Sequence, residues 1–136
     1  MAVNISYVTL GATDFEAGLA FYDRVMAAIG WARFAVHGTF AGYGPGGESG
    51  GQTVWVCRPF DGGEASFGNG TMLAFGADTR AEVDAFHAAA MAAGGADEGA
   101  PGPRPQYTPD WYAAYLRDPA GNKLAIVCTA GQEVAA

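Results

Sequence analysis

A duplicated segment constrains the fold of this chain more than any other feature. Residues 8–30 align with residues 73–95 at a spacing of 65 positions, and eight of the 23 aligned pairs are identical. Roughly two or three identities are expected by chance in a chain so rich in Ala and Gly. Self-similarity at a fixed spacing is typical of a duplicated structural unit. The sequence therefore predicts two copies of one module.

The first copy is predicted to contain a strand, a helix and three further strands. Residues 4–10 alternate like a half-buried strand. Thr13 and Glu16 predict a capping box at the start of the helix, and Gly30 is placed to end it. The helix carries one apolar stripe, made by Phe15, Leu19, Tyr22, Met26 and Ile29. The three further strands are predicted at residues 31–37, 39–43 and 52–58.

The second copy repeats this order after a polar, glycine-rich linker at residues 61–70. A strand is predicted at 71–75, and Thr79 with Glu82 predicts a second capping box. The helix that follows carries an apolar face made by Val83, Phe86, Ala90 and Ala93. A long, proline-rich loop is expected at 95–110, then strands at 111–117 and 123–128 joined by a tight turn, then a frayed tail at 131–136. Residues 1–136 are thus expected to form a single domain, with modules at 1–60 and 71–130.

The composition is that of a compact protein with an acidic surface. The chain has 136 residues, half of them hydrophobic, and a formal net charge of −7 from 14 acidic and 7 basic side chains. This balance argues against a nucleic-acid partner and is compatible with a cationic ligand. No apolar run approaches the roughly 20 residues of a membrane span, and no secretory signal is recognised. A cytoplasmic protein that does not bind membranes is expected.

Few side chains suggest catalysis. Cys57 and Cys128 lie in apolar strands and are expected to be buried thiols rather than a disulfide. His87 is expected to pack on its helix. His37, at a strand end, is more readily a solvated or turn-capping residue than a general base. Arginines at 58 and 117 are expected to pair with carboxylates at strand ends rather than to bind anions.

Three stretches resemble the vicinal oxygen chelate superfamily, which includes glyoxalase I, bleomycin-resistance proteins and extradiol dioxygenases. They are YVTLGATDFEAGLAFYDRVMAAIGW at 7–31, GTMLAFGADTRAEVDAFHAAAMAAGG at 70–95 and YAAYLRDPAGNKLAIVC at 112–128. The resemblance implies an α+β fold. Its paired βαβββ modules would form a curled open sheet with a cleft, with the helices outside and a homodimer as the common assembly.

The same resemblance locates the positions where metal-using relatives hold a divalent ion with His, Glu or Gln. Three of them are Tyr7, Met72 and Ala125 in this chain. Aligning Cys57 with Cys128, 71 positions apart, makes the fourth Val54, with Thr53 or Trp55 admitted by a one-residue error. None is a usual ligand for such a metal. We expect no cofactor, with a divalent metal as the less favoured alternative.

The cleft is expected to be apolar and aromatic. Strand alternation places Tyr7 and Thr9 towards the cleft, and Val8 and Leu10 towards the helix. The candidate cleft residues are Tyr7, His37, Trp55, Met72, Arg104, Gln106, Tyr107, Trp111, Tyr115 and Ala125.

Three functions fit this cleft. The favoured one is binding of a small aromatic or amphipathic molecule without metal, for which the acidic balance suggests a cationic drug or peptide. The second is a lyase, isomerase or dioxygenase-type enzyme, similar to lactoylglutathione lyase. It would use displaced metal ligands, or metal-free acid–base catalysis through Tyr7 or His37. The third is an interaction module whose cleft buries a protein partner or a second copy of the chain.

Overall fold

A computed structural model, which describes residues 3–131, confirms the predicted order of elements in the first module and shows one strand more than predicted in the second. The first module contains β1 (Tyr7–Gly11), α1 (Phe15–Ala27), β2 (Trp31–His37), β3 (Phe40–Pro45) and β4 (Thr53–Cys57). The second contains β5 (Leu73–Gly76), α2 (Arg80–Ala92), β6 (Ala96–Pro103), β7 (Tyr112–Arg117) and β8 (Lys123–Cys128). The predicted tail lies outside the described residues except for Gly131.

Each module folds into a four-stranded mixed sheet. The strand orders are β1-β4-β3-β2 and β5-β8-β7-β6, and in each sheet the first strand runs parallel to the last strand of its module. The other pairs are antiparallel. Within the described residues the two sheets share no hydrogen-bonded strand pair. The fold is therefore α+β with paired βαβββ modules, as predicted.

The hydrogen bonds that follow β1 and β5 fix how the two modules correspond. Ala12 N donates to Cys57 O, and Ala77 N donates to Val127 O, each at 2.8 Å. Ala12 and Ala77 are 65 positions apart, like the repeat itself, but their acceptors are 70 apart. The last strands therefore match at a spacing of 70, because the strand register and not the cysteine pattern sets their alignment.

The two helices begin differently. The predicted capping box at Thr13 is wrong, because Asp14 is the N-cap and its Oδ1 accepts from Ala17 N at 3.0 Å. The Thr13 hydroxyl instead accepts from Ala65 N at 2.7 Å, which ties the segment between the modules to the first one. The Thr79–Glu82 capping box of α2 is confirmed. Each helix has 13 residues, and no helix in residues 3–131 is long and apolar enough to cross a membrane.

The long loop predicted at residues 95–110 is partly wrong, because its first half forms β6. This strand pairs antiparallel with β7, with register shifts around Gly99. Pro101 and Pro103 are tolerated because β6 is the edge strand of its sheet, where a missing backbone N–H costs no ladder hydrogen bond on the open side. Only residues 104–111 then form a loop.

The helices join both modules in one core. The predicted stripes are confirmed, because both bury their central residues in a single apolar cluster. The buried stripe residues are Leu19, Tyr22 and Met26 of α1 and Val83, Phe86 and Ala90 of α2. A buried polar network adds a second connection, because Tyr22 of α1 donates its hydroxyl to Asp118 Oδ2 of the second module at 2.5 Å. The helices cover one face of each sheet, which leaves the opposite face for the site.

Candidate functional site

The open face of the first sheet carries an apolar surface built by strand alternation. The parallel register sets Thr9 beside Trp55, and the antiparallel register sets Trp55 beside Gly42. Val54 and Val56 alternate with Trp55 and are buried in the core. Tyr7 and Thr9 are exposed while Leu10 is buried, so the predicted orientation of β1 is confirmed.

Trp55 is the centre of an aromatic cluster on this face. Its ring meets the rings of Phe34 and Phe40 edge-on, each at a centroid distance of 5.6 Å. Gly42 lies beneath, where an added Cβ would stand 2.7 Å from Phe34 Cζ and 2.7 Å from Trp55 Cζ3. A glycine is therefore needed for the two rings to lie this close to the strand. The indole is held in place by neighbours on three sides, and His37 extends the cluster by packing on Phe40 at 5.7 Å.

A cavity of about 560 Å³ opens beside this cluster. Its lining residues are Tyr7, Thr9, Thr39, Phe40, Trp55, Cys57, Arg58, Pro59 and Phe60. The volume falls within the range of roughly 300–1,000 Å³ that small-molecule sites occupy. Burial raises the pKa of the Cys57 thiol, which keeps it protonated and unreactive near neutral pH. The lining is suited to packing against a flat apolar body.

Only one of the two arginines expected to pair with a carboxylate, Arg58 and Arg117, does so in the structure. Arg117 Nε donates to Glu98 Oε1 at 2.8 Å, so that expectation is confirmed. Arg58 has no carboxylate within ion-pair distance among the described residues, and that expectation is wrong. Its backbone N donates to Thr39 O at 3.0 Å, which fixes the residue at the rim of the cavity.

The open face of the second sheet brings together most of the other candidate residues around Tyr115. Arg104 lies over one side of its ring at 5.6 Å and Lys123 lies at 5.9 Å. Trp111 Nε1 donates to the Tyr115 hydroxyl at 3.4 Å, and Tyr107 packs on Trp111 at 5.6 Å. This face is therefore covered by its own side chains.

Arg104 is held mainly by backbone carbonyls. Its guanidinium donates to Ala100 O at 2.8 Å and to Gly102 O at 2.9 Å, so it stabilises the irregular end of β6. Gln106 is exposed in the turn that follows. His87, predicted to pack on its helix, lies against the same strand and contacts Asp97 Oδ1 through Nε2 at 2.9 Å.

Of the four positions that hold a metal in relatives of the superfamily that the sequence resembles, two lie in the first module and two in the second. The spacing of 70 makes Trp55, not Val54, the counterpart of Ala125, and Val54 points into the core. Tyr7 and Trp55 line the cavity on the first sheet. Met72 is exposed and lines a second cavity, of about 320 Å³, with Thr9 and Lys123.

The donor chemistry at these positions does not suit a glyoxalase-type metal. A phenol, an indole, a thioether and a methyl group replace the imidazole and carboxylate ligands that such ions require. Within residues 3–131 no group of three His, Cys, Asp or Glu side chains is placed to hold a metal elsewhere. The four positions therefore do not supply the ligands that a glyoxalase-type metal requires.

Sequence reasoning missed Phe34, Phe40, Cys57 and Arg58 as parts of the site. A signal was present, because Phe40 and Cys57 stand two residues from Gly42 and Trp55 on adjacent antiparallel strands. A period of two along each strand places Phe40 and Cys57 on the face that carries Trp55. The register that brings them together could not be read without knowing the pairing of β3 with β4.

Comparison with known proteins identifies one family. The model of the Glyoxalase/Bleomycin resistance protein/Dioxygenase superfamily matches residues 4–126. A solved glyoxalase/bleomycin resistance protein from Albidiferax ferrireducens T118 is 36% identical, with a TM-score of 0.80 over 91% of this chain and 97% of that chain. No match is found among the curated proteins.

Two further solved structures support the same fold. A family enzyme from Burkholderia phytofirmans PsJN is 27% identical, with a TM-score of 0.71 over 94% of this chain and all of that one. The lactoylglutathione lyase from Agrobacterium tumefaciens is 23% identical, with a TM-score of 0.63 over 92% of each chain. At that identity, the likeness to the lyase concerns the fold alone.

Proposed function

Because the chain belongs to the Glyoxalase/Bleomycin resistance protein/Dioxygenase superfamily, we propose that it is a metal-free binding protein for a small aromatic or amphipathic molecule. The molecule packs on Trp55 in the cavity of the first sheet. One observation carries the proposal: where relatives hold a metal, this chain places a rigidly supported indole at the wall of a cavity of about 560 Å³.

The supporting physics is that of aromatic recognition. Trp and Tyr rings offer a large apolar area and pair with other rings edge-on or offset, which adds roughly 0.5–1.5 kcal/mol to simple burial. Trp55 is held by Phe34 and Phe40, so little side-chain entropy is lost when a ligand packs on it. Tyr7 is 59% exposed and is free to close over the bound molecule from the side of β1.

Binding is tested with N-phenyl-1-naphthylamine, a neutral aromatic probe that fluoresces when it leaves water. Tyr7→Ala is expected to weaken probe binding several-fold, and Trp55→Ala more strongly. Tyr107→Ala is the matched control, because Tyr107 is 60% exposed but packs on Trp111 in the loop between β6 and β7 of the second module. Circular dichroism checks that each variant is folded. Equal affinity in the wild type and in both the Tyr7 and Trp55 variants would refute the proposed site.

The metal-free part of the proposal separates it from an enzyme with displaced metal ligands. The protein is dialysed against Ni²⁺, Zn²⁺, Mn²⁺ and Fe²⁺ in turn, and the retained metal is measured by elemental analysis. Less than stoichiometric metal is expected, since the positions of Tyr7, Trp55, Met72 and Ala125 offer no fitting ligand set. One tightly held ion per chain would favour the enzyme.

We expect the binding protein to be a homodimer. β1 is an edge strand, and the residues that lead into it expose Val3 and Ile5 almost fully. Such an edge favours pairing with another chain. Light scattering at micromolar concentration should give twice the mass of one chain, and Ile5→Lys should lower it. A monomeric wild type would contradict a dimer.

A further inference from the structure

We infer that the molecule bound in the cavity of the first sheet carries a negative charge, and that the Arg58 guanidinium holds its acidic group. The inference rests on the proposed function, because it assumes that an aromatic molecule binds beside Trp55. It assigns a negative charge to the ligand, although the net charge of −7 on the chain would favour a cationic ligand. The ligand class is an aromatic carboxylate, sulfonate or phosphate.

The cavity has a single formal charge. Among its lining residues, Arg58 is the only ionisable side chain that is charged near neutral pH, since Tyr7 is a phenol and the pKa of Cys57 is raised by burial. Thr9 and Thr39 add two neutral hydroxyl groups to the polar lining. A cationic ligand would find no carboxylate here, whereas an anion would meet a guanidinium with its fork of donors.

The other basic side chains are engaged elsewhere in the fold. Arg33 pairs with Asp23 at 3.1 Å, and Arg117 pairs with Glu98. The remaining engaged cations pack on tyrosine rings, and they are Arg80, Arg104 and Lys123. Arg24 lies in the last turn of α1, where a cation complements the helix dipole. Two basic residues line a cavity and have no carboxylate partner in residues 3–131, Arg58 and Lys123. Lys123 packs on the Tyr115 ring, whereas Arg58 lies over no aromatic ring in the described residues.

The position of Arg58 is set by the backbone. It directly follows β4, where its N–H donates to Thr39 O, and it is three positions from Trp55. Arg58 and Trp55 line the same cavity, so a flat ring packed on Trp55 lies in the cavity that Arg58 borders. Because the stem of the arginine is flexible and the head is exposed, the expected gain is that of a partly solvated ion pair.

The test uses two fluorescent probes that differ by one acidic group. 1-Anilinonaphthalene-8-sulfonate is N-phenyl-1-naphthylamine with an added sulfonate, so the pair separates ring packing from charge. Arg58→Gln is expected to weaken binding of the sulfonate about fivefold more than binding of the neutral probe, which corresponds to an ion pair of about 1 kcal/mol. Arg58→Lys should recover part of the loss.

Arg24→Gln is the matched control, because it removes the same charge on the exposed side of α1, away from the cavity. It should leave the affinity for both probes unchanged. An unchanged affinity of Arg58→Gln for the sulfonate, or an equal loss in Arg24→Gln, would overturn the inference. The neutral probe reports on the proposed function separately. If Trp55→Ala weakens binding of the neutral probe while Arg58→Gln leaves sulfonate binding intact, the proposed binding site at Trp55 is retained and the assignment of an anionic ligand is rejected.

Discussion

The buried network between the modules gives a sharp stability prediction for Tyr22→Phe. Asp118 is 5% exposed, and its carboxylate receives four hydrogen bonds. They come from the Tyr22 hydroxyl at 2.5 Å and from Asn122 Nδ2, Asn122 N and Ala120 N, each at 2.9 Å. The substitution keeps the ring and removes one of these four donors. The Asp118 oxygen then loses a partner in a place that water reaches poorly.

Tyr43→Phe is the matched comparison. Tyr43 is as buried as Tyr22, and its hydroxyl donates to Asp23 Oδ1 at 2.7 Å. The difference lies in the acceptor, because the Asp23 side chain is 39% exposed and also binds Arg33. Hydrogen bonds to buried charged groups contribute roughly 1.5–3 kcal/mol, and ordinary ones about 1 kcal/mol. We therefore expect Tyr22→Phe to cost about 2 kcal/mol and Tyr43→Phe about 0.5–1 kcal/mol.

Urea unfolding followed by circular dichroism measures both costs. With an m value of about 2 kcal/mol/M, the midpoint should fall by about 1 M for Tyr22→Phe and by about 0.25–0.5 M for Tyr43→Phe. The m value should not change, since neither substitution alters the buried area much. A midpoint for Tyr22→Phe at or above that for Tyr43→Phe would refute the argument that the buried carboxylate depends on this donor.

Two further predictions follow from the shifted pKa values. Burial raises the pKa of both Tyr22 and Tyr43, and Asp118 and Asp23 respectively add to the effect. The stability that depends on these protonated hydroxyl groups is therefore fully present below about pH 10, the pKa of an unfolded tyrosine, and is lost as the pH rises above it. Urea midpoints should show this decline, and an equally steep decline in Tyr22→Phe would contradict it. The raised pKa of Cys57 predicts slow alkylation by iodoacetamide at neutral pH, slowed further by bound N-phenyl-1-naphthylamine. Mass spectrometry measures the rate, with the buried Cys128 as reference, and a rate that the probe leaves unchanged would place Cys57 outside the cavity.

Most of the fold could be predicted because its signals are local. The apolar stripes and the closing glycines are each contained in one segment, and each agrees with the structure. The repeat then needs only the comparison of two such segments. Thr13 shows where local signals fail: Thr13 and Asp14 are both good N-cap residues. The choice between them depends on Ala65, which binds the Thr13 hydroxyl from 52 positions away.

The site was harder to predict because it depends on strand register. Aligning the two cysteines placed Val54 at the position that the hydrogen bonds give to Trp55, and a shift of one residue turns a side chain from the core to the open face. β6 was missed for a related reason. Its glycines and prolines resemble a loop, and only pairing with β7 at the sheet edge makes it a strand. Long-range pairing is the information that the sequence pattern lacks.

The charge of the ligand shows how a global property and a local one lead to opposite expectations. A net charge of −7 favours a cation at long range, but exposed charges are screened over about 8 Å at physiological salt. Inside the cavity the nearest charge therefore dominates, and that charge is Arg58. Arg24→Gln and Arg58→Gln change the net charge equally, so the long-range field is nearly the same in both variants. Any difference between them in binding the sulfonate probe then measures the local contact alone.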